Sequence, residues 1–424
     1  MSLYDKASLV QIPSGTKSGT LYSVLPANGD GDFDHTRATS ATRVNKDGLI
    51  ESVASGVPRL DYPLIDGVVQ DCPALLLEPS RGNAITYSED FSDSSWNKNN
   101  VSITSNSIVS PDGSVNASLM TIIGGSSDQR VDKNVAYTGQ NVFSVFAKAN
   151  DSKWLSLRVG AAANKWFDLE NGVLGGSTIT TDLDDSFIEY YGNGWYRCGI
   201  IFTNSSTLNT KIYPAENDRD ITHTSGSVYI WGAQAEAGSY PTSYIPTTSS
   251  TVTRNADECN GAGTSAEFND SEGVLFAEIS ALENDGTIRR ISINDNVFDN
   301  DRVLIGYSGT DNQIQGQSRT GTSTQAALDY TVPDATIPNK VAMKYKANDF
   351  ALWVNGFEVD TDISGTAPEG LIRLSFDRGA TQDFYGNTKQ LMAFNEALTD
   401  SELEQVTSWT SFGEMAKGQL YTIE

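Results

Sequence analysis

Histidine and cysteine are scarce in this chain, and their scarcity removes whole classes of chemistry. Two histidines, His35 and His223, lie far apart in 424 residues, which leaves Ser-His-Asp and Cys-His catalysis little to draw on. The three cysteines, Cys72, Cys198 and Cys259, are widely spaced and odd in number. No C-x-x-C pair or His-rich spacing accompanies them, so they read as buried thiols acting as small apolar residues rather than as zinc ligands. Long hydrophobic runs are missing too. Stretches such as Ala74-Leu75-Leu76-Leu77 fall far short of a bilayer span, and no membrane insertion is expected. The opening Met1-Ser2-Leu3-Tyr4-Asp5 has no basic region followed by an apolar stretch, so no secretory signal is read there. Positive charge is also short: 29 Lys and Arg face 54 Asp and Glu, for a formal charge of −25. A field of that sign repels phosphate backbones and excludes nucleic acid as a partner.

What is present is apolar material at 38% of residues, in a chain long enough for two or three domains. Helical periodicity is nearly absent. Short alternating runs recur with Gly, Asn, Asp, Ser and Thr between them, which predicts an all-β fold of two antiparallel β-sandwiches in tandem, preceded by an extended N-terminal arm. The arm covers residues 1–80, irregular and polar over 1–33, and is expected to wrap partly on the module that follows it. Prolines flank Leu60-Asp61-Tyr62 and Ala74–Leu77, which points to extended or edge positions. The first sandwich spans 81–246. Within it Trp154-Leu155-Ser156-Leu157-Arg158-Val159 alternates, setting Trp154, Ser156 and Arg158 on one face. Gly192-Asn193-Gly194 marks a hairpin between Phe187–Tyr191 and Trp195–Phe202. Residues 247–262 read as a linker. The second sandwich spans 263–424, with an Asn355-Gly356 turn after Phe350–Val354. One helix is expected near its end, because Thr399-Asp400-Ser401-Glu402 is a capping box followed by Leu403 and Val406 at helical spacing.

The run Arg37-Ala38-Thr39-Ser40-Ala41-Thr42-Arg43-Val44-Asn45-Lys46-Asp47-Gly48-Leu49-Ile50-Glu51 resembles a segment found in bacteriophage tail and fibre proteins. So does Leu76-Leu77-Glu78-Pro79-Ser80-Arg81-Gly82-Asn83, with Tyr87-Ser88-Glu89-Asp90-Phe91 and Trp96 after it. Trp231-Gly232-Ala233-Gln234-Ala235-Glu236-Ala237-Gly238 through Pro246-Thr247-Thr248 is similar to the end of the carbohydrate-binding-like jelly roll of such proteins. The last third, with Tyr385-Gly386, Gln390–Phe394 and Ala397–Asp400, looks like a laminin-G or concanavalin-like sandwich. The resemblance implies a phage virion protein of the tail or a surface appendage, released with the virion by lysis, that contributes to host attachment through glycan contact. It implies other virion proteins and a host surface glycan as partners, and a homo-oligomer, with a trimer as the expected form for such appendages.

The chemistry is read on that background. Concanavalin-like hydrolases place their carboxylates as Glu-x-Asp-x-x-Glu on one strand, and no such string occurs; Glu402-Leu403-Glu404 falls on the predicted helix. The chain therefore reads as non-enzymatic. A glycan depolymerase on a sandwich scaffold and a bacterial surface adhesin are the alternatives. A pyranose has an apolar face and a belt of hydroxyls, so sugar contact calls for flat aromatics beside polar partners. Trp154, Arg158 and Trp166 are candidates in the first sandwich and Tyr385 in the second, although large aromatics more often fill sandwich interiors. No cofactor is required. Asp30-Gly31-Asp32-Phe33-Asp34 opens like a calcium loop, but His35 and Ala41 occupy the positions where the loop needs Gly and Glu. The laminin-G resemblance implies calcium at loop edges instead, with Asp295, Asp299 and Asp301 as the candidate ligands.

Overall fold

A computed structural model describes residues 3–124, 128–220, 222–297, 300–411 and 414. The protein is all-β, built on two antiparallel β-sandwiches, and the helices among the described residues are the short Leu3–Lys6 and the C-terminal Asp400–Thr407. Glu402 accepts hydrogen bonds from the Thr399 backbone N–H and hydroxyl at 3.0 and 2.9 Å, so the capping box forms as the sequence predicts.

The first sandwich faces two six-stranded sheets. One, here the free sheet, orders Asn97–Asn99, Arg130–Ala136, Thr207–Ala215, Trp154–Val159, Ala163–Asp168 and Val173–Leu174. The other, the arm-side sheet, orders Val101–Val109, Val115–Ile122, Ser227–Ala237, Gln140–Ala149, Trp195–Thr203 and Leu183–Tyr190. Between them Leu155, Leu157 and Val159 meet Phe143, Phe167, Ile200, Phe202 and Ile212, all fully buried. The alternation in Trp154–Val159 is what sends those three inward and their neighbours outward. Gly192, Asn193 and Gly194 turn the expected hairpin with φ of 77°, 52° and 77°, the left-handed region that glycine and asparagine tolerate.

The second sandwich packs an eight-stranded sheet on a five-stranded one, and here the arm departs from expectation. Its strands Leu9–Gln11 and Ala74–Leu77 both pair with Gly386–Phe394 in the eight-stranded sheet, and Arg59–Asp61 extends that sheet beyond Ala74–Leu77. The arm is thus built into the C-terminal sandwich, not laid only on the module that follows it. The reason is apolar: Leu9, Leu75 and Leu77 enter the main C-terminal core beside Leu275, Leu352 and Leu391. Ala74–Leu77 is buried throughout and has a partner on each side, because Pro73 and Pro79 stand just outside the paired residues and cost the ladder no donor. A second part of the arm does reach the first sandwich. Ile50 and Tyr244 pack with Phe146, Trp195 and Trp231 on the outer face of the arm-side sheet.

Where arm, linker and both sandwiches meet, charges are buried. Arg59, fully enclosed, donates to Glu78 at 2.5 Å and to Asp257. Asp257 also accepts from Arg37 at 2.8 Å and from the Glu78 backbone N–H at 3.0 Å, with His35 Nε2 at 3.3 Å. Glu78 takes Arg254 at 2.8 Å and the Ser243 N–H and hydroxyl at 2.8 and 2.6 Å. Burial alone would raise the Glu78 carboxyl, but Arg254 and Arg59 bring it down to about 2. Burial opposes Asp257 in the same way, and Arg59, His35 and Arg37 hold it well below the usual carboxylate range.

Both carboxyls ionise more readily here than in an unfolded chain, so their stabilisation is complete above the unfolded range of about pH 4 and drains away as pH falls toward 2. Glu78→Gln is expected to cost about 3–5 kcal/mol at neutral pH, since it leaves buried guanidinium charge without its partner. It should also flatten the acid limb of stability. Denaturant midpoints measured from pH 7 down to 2 check both, and an acid limb identical in the variant would show that the network does not govern it. A second expectation concerns thiols. Cys72 is exposed while Cys198 and Cys259 are buried, with burial pushing both thiols up. One thiol per chain should react with a thiol reagent in the native state and all three after unfolding; three reacting natively would contradict this packing.

Candidate functional site

The arm occupies much of the outer face of the arm-side sheet, whereas the outer face of the free sheet carries polar side chains. Register aligns one row across five of its strands: Asn97 opposite Asp132, Asp132 opposite Lys211, Lys211 opposite Arg158, and Arg158 opposite Asn164. Each lies one residue away from a core position, so the same alternation that fills the core lays these five along the outside.

Asp132 organises one half of the row. It is nearly buried and accepts from Asn209 at 2.7 Å, Arg130 at 2.8 Å, Asn97 at 3.0 Å and Asn99 at 3.4 Å. Its lone pairs are filled by protein donors. At the other end Asn164 is similarly committed: its oxygen accepts the Thr178 and Ile179 N–H groups at 2.9 and 2.8 Å, and its Nδ2 donates to Thr178 Oγ1 at 2.8 Å. Between these anchored ends stand Lys211 and Arg158. Arg158 donates through Nε to Gly160 O at 2.9 Å. Lys211 makes no hydrogen bond or ion pair among the described residues. Burial lowers the Lys211 ammonium, and Arg130 and Arg158 lower it further, with Asp132 acting the other way.

The aromatic candidates fare differently. Trp154 is half-buried on this face, one strand pairing away from Trp166. Trp166 is buried and cannot serve as an open platform. The segment Gly175-Gly176 and the loop around Asp218 and Arg219 close over it, so tightly that a Cβ at Gly175 would stand 2.6 Å from Asp218 Oδ1 and from Trp154, and 3.0 Å from Trp166 Cβ. Tyr213 lies under the Arg130 guanidinium, 6.0 Å from it. Tyr385 belongs to neither face. It packs partly buried against the C-terminal core and donates its hydroxyl to Asp383 at 3.0 Å.

The calcium candidates are committed to the protein's own donors. Asp301 accepts the Glu369 and Gly321 N–H groups at 2.9 and 3.0 Å. Asp295 accepts the Val297 N–H at 3.0 Å and Asn300 Nδ2 at 2.5 Å. Asp299 lies outside the described residues. Among the described residues no three His, Cys, Asp or Glu side chains converge as a metal site would require.

A second concavity lies between the arm and the Leu183–Tyr190/Trp195–Thr203 hairpin. Adjoining cavities of about 420, 360 and 270 Å³ are lined there by Asp61, Asp66, Glu189, Tyr190, Tyr191 and Arg197, among others. Glu189 keeps accessible surface, but that surface opens into the cleft. Burial pushes its carboxyl up against the pull of Arg197, and burial pushes Asp61 up to about 6 even though the Val44 N–H, at 2.8 Å, favours its charged form.

Of the residues singled out from the sequence, Arg158 and Trp154 lie on this face, beside Asn97, Asp132, Asn209 and Lys211, which sequence reasoning did not single out. A signal was present: Asn209, Lys211 and Tyr213 alternate with Leu208, Thr210 and Ile212 as Trp154–Val159 does. No helix among the described residues is long and apolar enough to cross a membrane.

No protein-family model matches the chain, and no curated protein matches it. Solved structures with a similar trace include the CBM40 of Ruminococcus gnavus IT-sialidase bound to α2,3-sialyllactose, at 15% identity over 33% of this chain and 84% of that one, with a TM-score of 0.28. Others are mouse laminin α1 LG4-5, at 12% identity over 80% and 96% with a TM-score of 0.21, and Trypanosoma rangeli sialidase in complex with sialic acid, at 10% identity over 92% and 78% with a TM-score of 0.26. Likeness at this level carries no argument about function; the chain's own architecture is two antiparallel β-sandwiches joined through a buried ionic junction.

Proposed function

We propose that this is a structural, glycan-contacting attachment protein of a bacteriophage virion, a component of the tail or of a surface appendage, with the free sheet of the first sandwich as its contact face. The observation that carries the glycan reading is the row Asn97, Asp132, Lys211, Arg158 and Asn164 laid across five strands. Between the anchored Asp132 and Asn164, the cations Lys211 and Arg158 offer donors and the Asn97 amide oxygen an acceptor to a ring of hydroxyls, and the half-buried Trp154 beside them offers an apolar plane. Rigid strands suit recognition, because the side chains keep their separation when a ligand arrives.

The virion part rests on the resemblance of residues 37–51, 76–83 and 231–248 to phage tail proteins. Arg37, Glu78 and Ser243 from those segments meet at the buried ionic junction, which supports reading them as one structural signature. In this reading the arm serves to bind the two sandwiches into one body, a property suited to an appendage under mechanical load. Homo-oligomerisation and contacts with other virion proteins belong to the same proposal, as does calcium at the loops near Asp295 and Asp301.

A second reading, a glycan depolymerase, has one observation in its favour. Asp61 and Glu189 line the same two cavities, and burial favours the protonated form of each, an environment in which a carboxyl can act as an acid.

A glycan array and a host-cell binding assay on the full chain, with and without calcium, test the proposal. Saturable binding is expected, weakened at least several-fold by Trp154→Ala or Asn97→Ala. Reducing-end release from a bound polysaccharide, lost in Glu189→Gln, would replace the attachment reading with the enzymatic one. A folded sample that binds no glycan would leave the sandwiches as packing modules only.

A further inference from the structure

Arg158 and Lys211 are directly opposed on adjacent strands. Like charges in that position destabilise a sheet, and a chain of net charge −25 has carboxylates in excess with which to neutralise them. Asp132, opposite Lys211 on its other side, offsets part of that repulsion, but no nearby acid hydrogen-bonds to either cation among the described residues. Asp132, next in the row, is filled by Asn97, Asn99, Arg130 and Asn209, and Asp128 is engaged by Arg130. Asp168, which faces Trp154 two rows away along the same face, accepts the Glu170 and Asn171 N–H groups and Asn171 Nδ2 at 2.9, 3.1 and 2.8 Å. Repulsion retained beside a built amide–carboxylate cluster marks a site where stability is traded for recognition.

We infer that the opposed Arg158–Lys211 pair is the recognition point for a carboxylate-bearing sugar, which makes the ligand of the free sheet an acidic glycan. This rests on the glycan reading of that face and names its ligand class. One carboxylate seated between the guanidinium and the ammonium accepts charge-assisted hydrogen bonds from both and cancels their repulsion. The Nδ2 groups of Asn97, Asn99 and Asn209 are committed to Asp132, and their amide oxygens accept nothing from the described residues. Those oxygens are free to take hydroxyl protons from the same sugar or its neighbour. A dense polyanion is a poor fit, because beyond this local pair the field of the whole chain repels it.

The test uses two matched pairs of probes on the full chain: oligogalacturonate with its carboxyl-reduced counterpart, and sialyllactose with lactose. Calorimetric titration should show at least one acidic member binding about tenfold or more tighter than its neutral partner, the scale of one or two charge-assisted hydrogen bonds, with affinity falling as salt rises. The double variant Arg158→Gln/Lys211→Gln should erase that preference while leaving its melting temperature equal to or above that of the parent, since it removes a repulsion. Arg158→Lys/Lys211→Arg should retain the preference. Neutral and acidic members bound equally would overturn the ligand class and leave the glycan reading intact. No binding of either pair, on a sample that also fails the glycan array, would overturn both. Preference for acidic members unchanged in the Gln/Gln variant would move the recognition point elsewhere.

Discussion

The arrangement of the whole chain depends on a buried charge problem solved at one place. Arg59 lies fully enclosed between Glu78 and Asp257, with Arg37 and Arg254 on the far sides of the two carboxylates. Stripping water from such groups costs several kcal/mol per ion, about as much as their attraction returns, so the cluster adds little net stability over an apolar plug of the same shape. What it adds is specificity. Arg37 and Arg59 come from the arm, Glu78 from the strand that enters the C-terminal sheet, Ser243 from the tail of the first sandwich, and Arg254 and Asp257 from the connection onward. Any shift of one segment leaves an uncompensated charge in the interior, so the docked arrangement is separated from its neighbours by a large gap even though the docked interaction itself is modest.

That gap explains why the fold was only partly legible. Local features could be read because local physics decides them: the period-two alternation of Trp154–Val159, the Gly192–Gly194 turn, the capping box at Thr399. The destination of the arm could not. Leu9–Gln11 is three residues long and pairs with a strand near the opposite end of the chain, and three residues carry no period. Ala74–Leu77 misled through its prolines, since a proline beside a strand and a proline within it look alike until the pairing is known. The aromatic reading divided in the same way. Large aromatics were expected to fill the sandwich interior, yet Trp195 and Trp231 are buried beneath the arm with Phe146 and Ile50 and not between the two sheets.

The contact face was legible residue by residue and illegible as a set. Arg158 stood out because its own strand alternates cleanly. Its opposition to Lys211 depends on the order of strands in the free sheet, which places Thr207–Ala215 between Arg130–Ala136 and Trp154–Val159. Those three strands are not consecutive, and no window of sequence contains two of them in register. Trp166 shows the converse: it has the right side chain for a sugar platform, but the Gly175–Gly176 segment covers it.

The two junctions of charge in this protein are therefore opposites. At the core junction both carboxylates are fully engaged, three arginines and a histidine gathered around Glu78 and Asp257, because an unmatched carboxylate there has no solvent to fall back on. On the free sheet the fold sets two cations opposite each other and, among the described residues, hydrogen-bonds neither to an acid, the facing Asp132 being filled by Asn97, Asn99, Arg130 and Asn209. Partial exposure makes that tolerable, since water screens much of the repulsion. It also makes the position responsive: a ligand carboxylate displacing that water would gain both hydrogen bonds without first breaking an internal ion pair. A protein that used its acids to neutralise this pair would hold a slightly more stable sheet and a face with nothing left to offer.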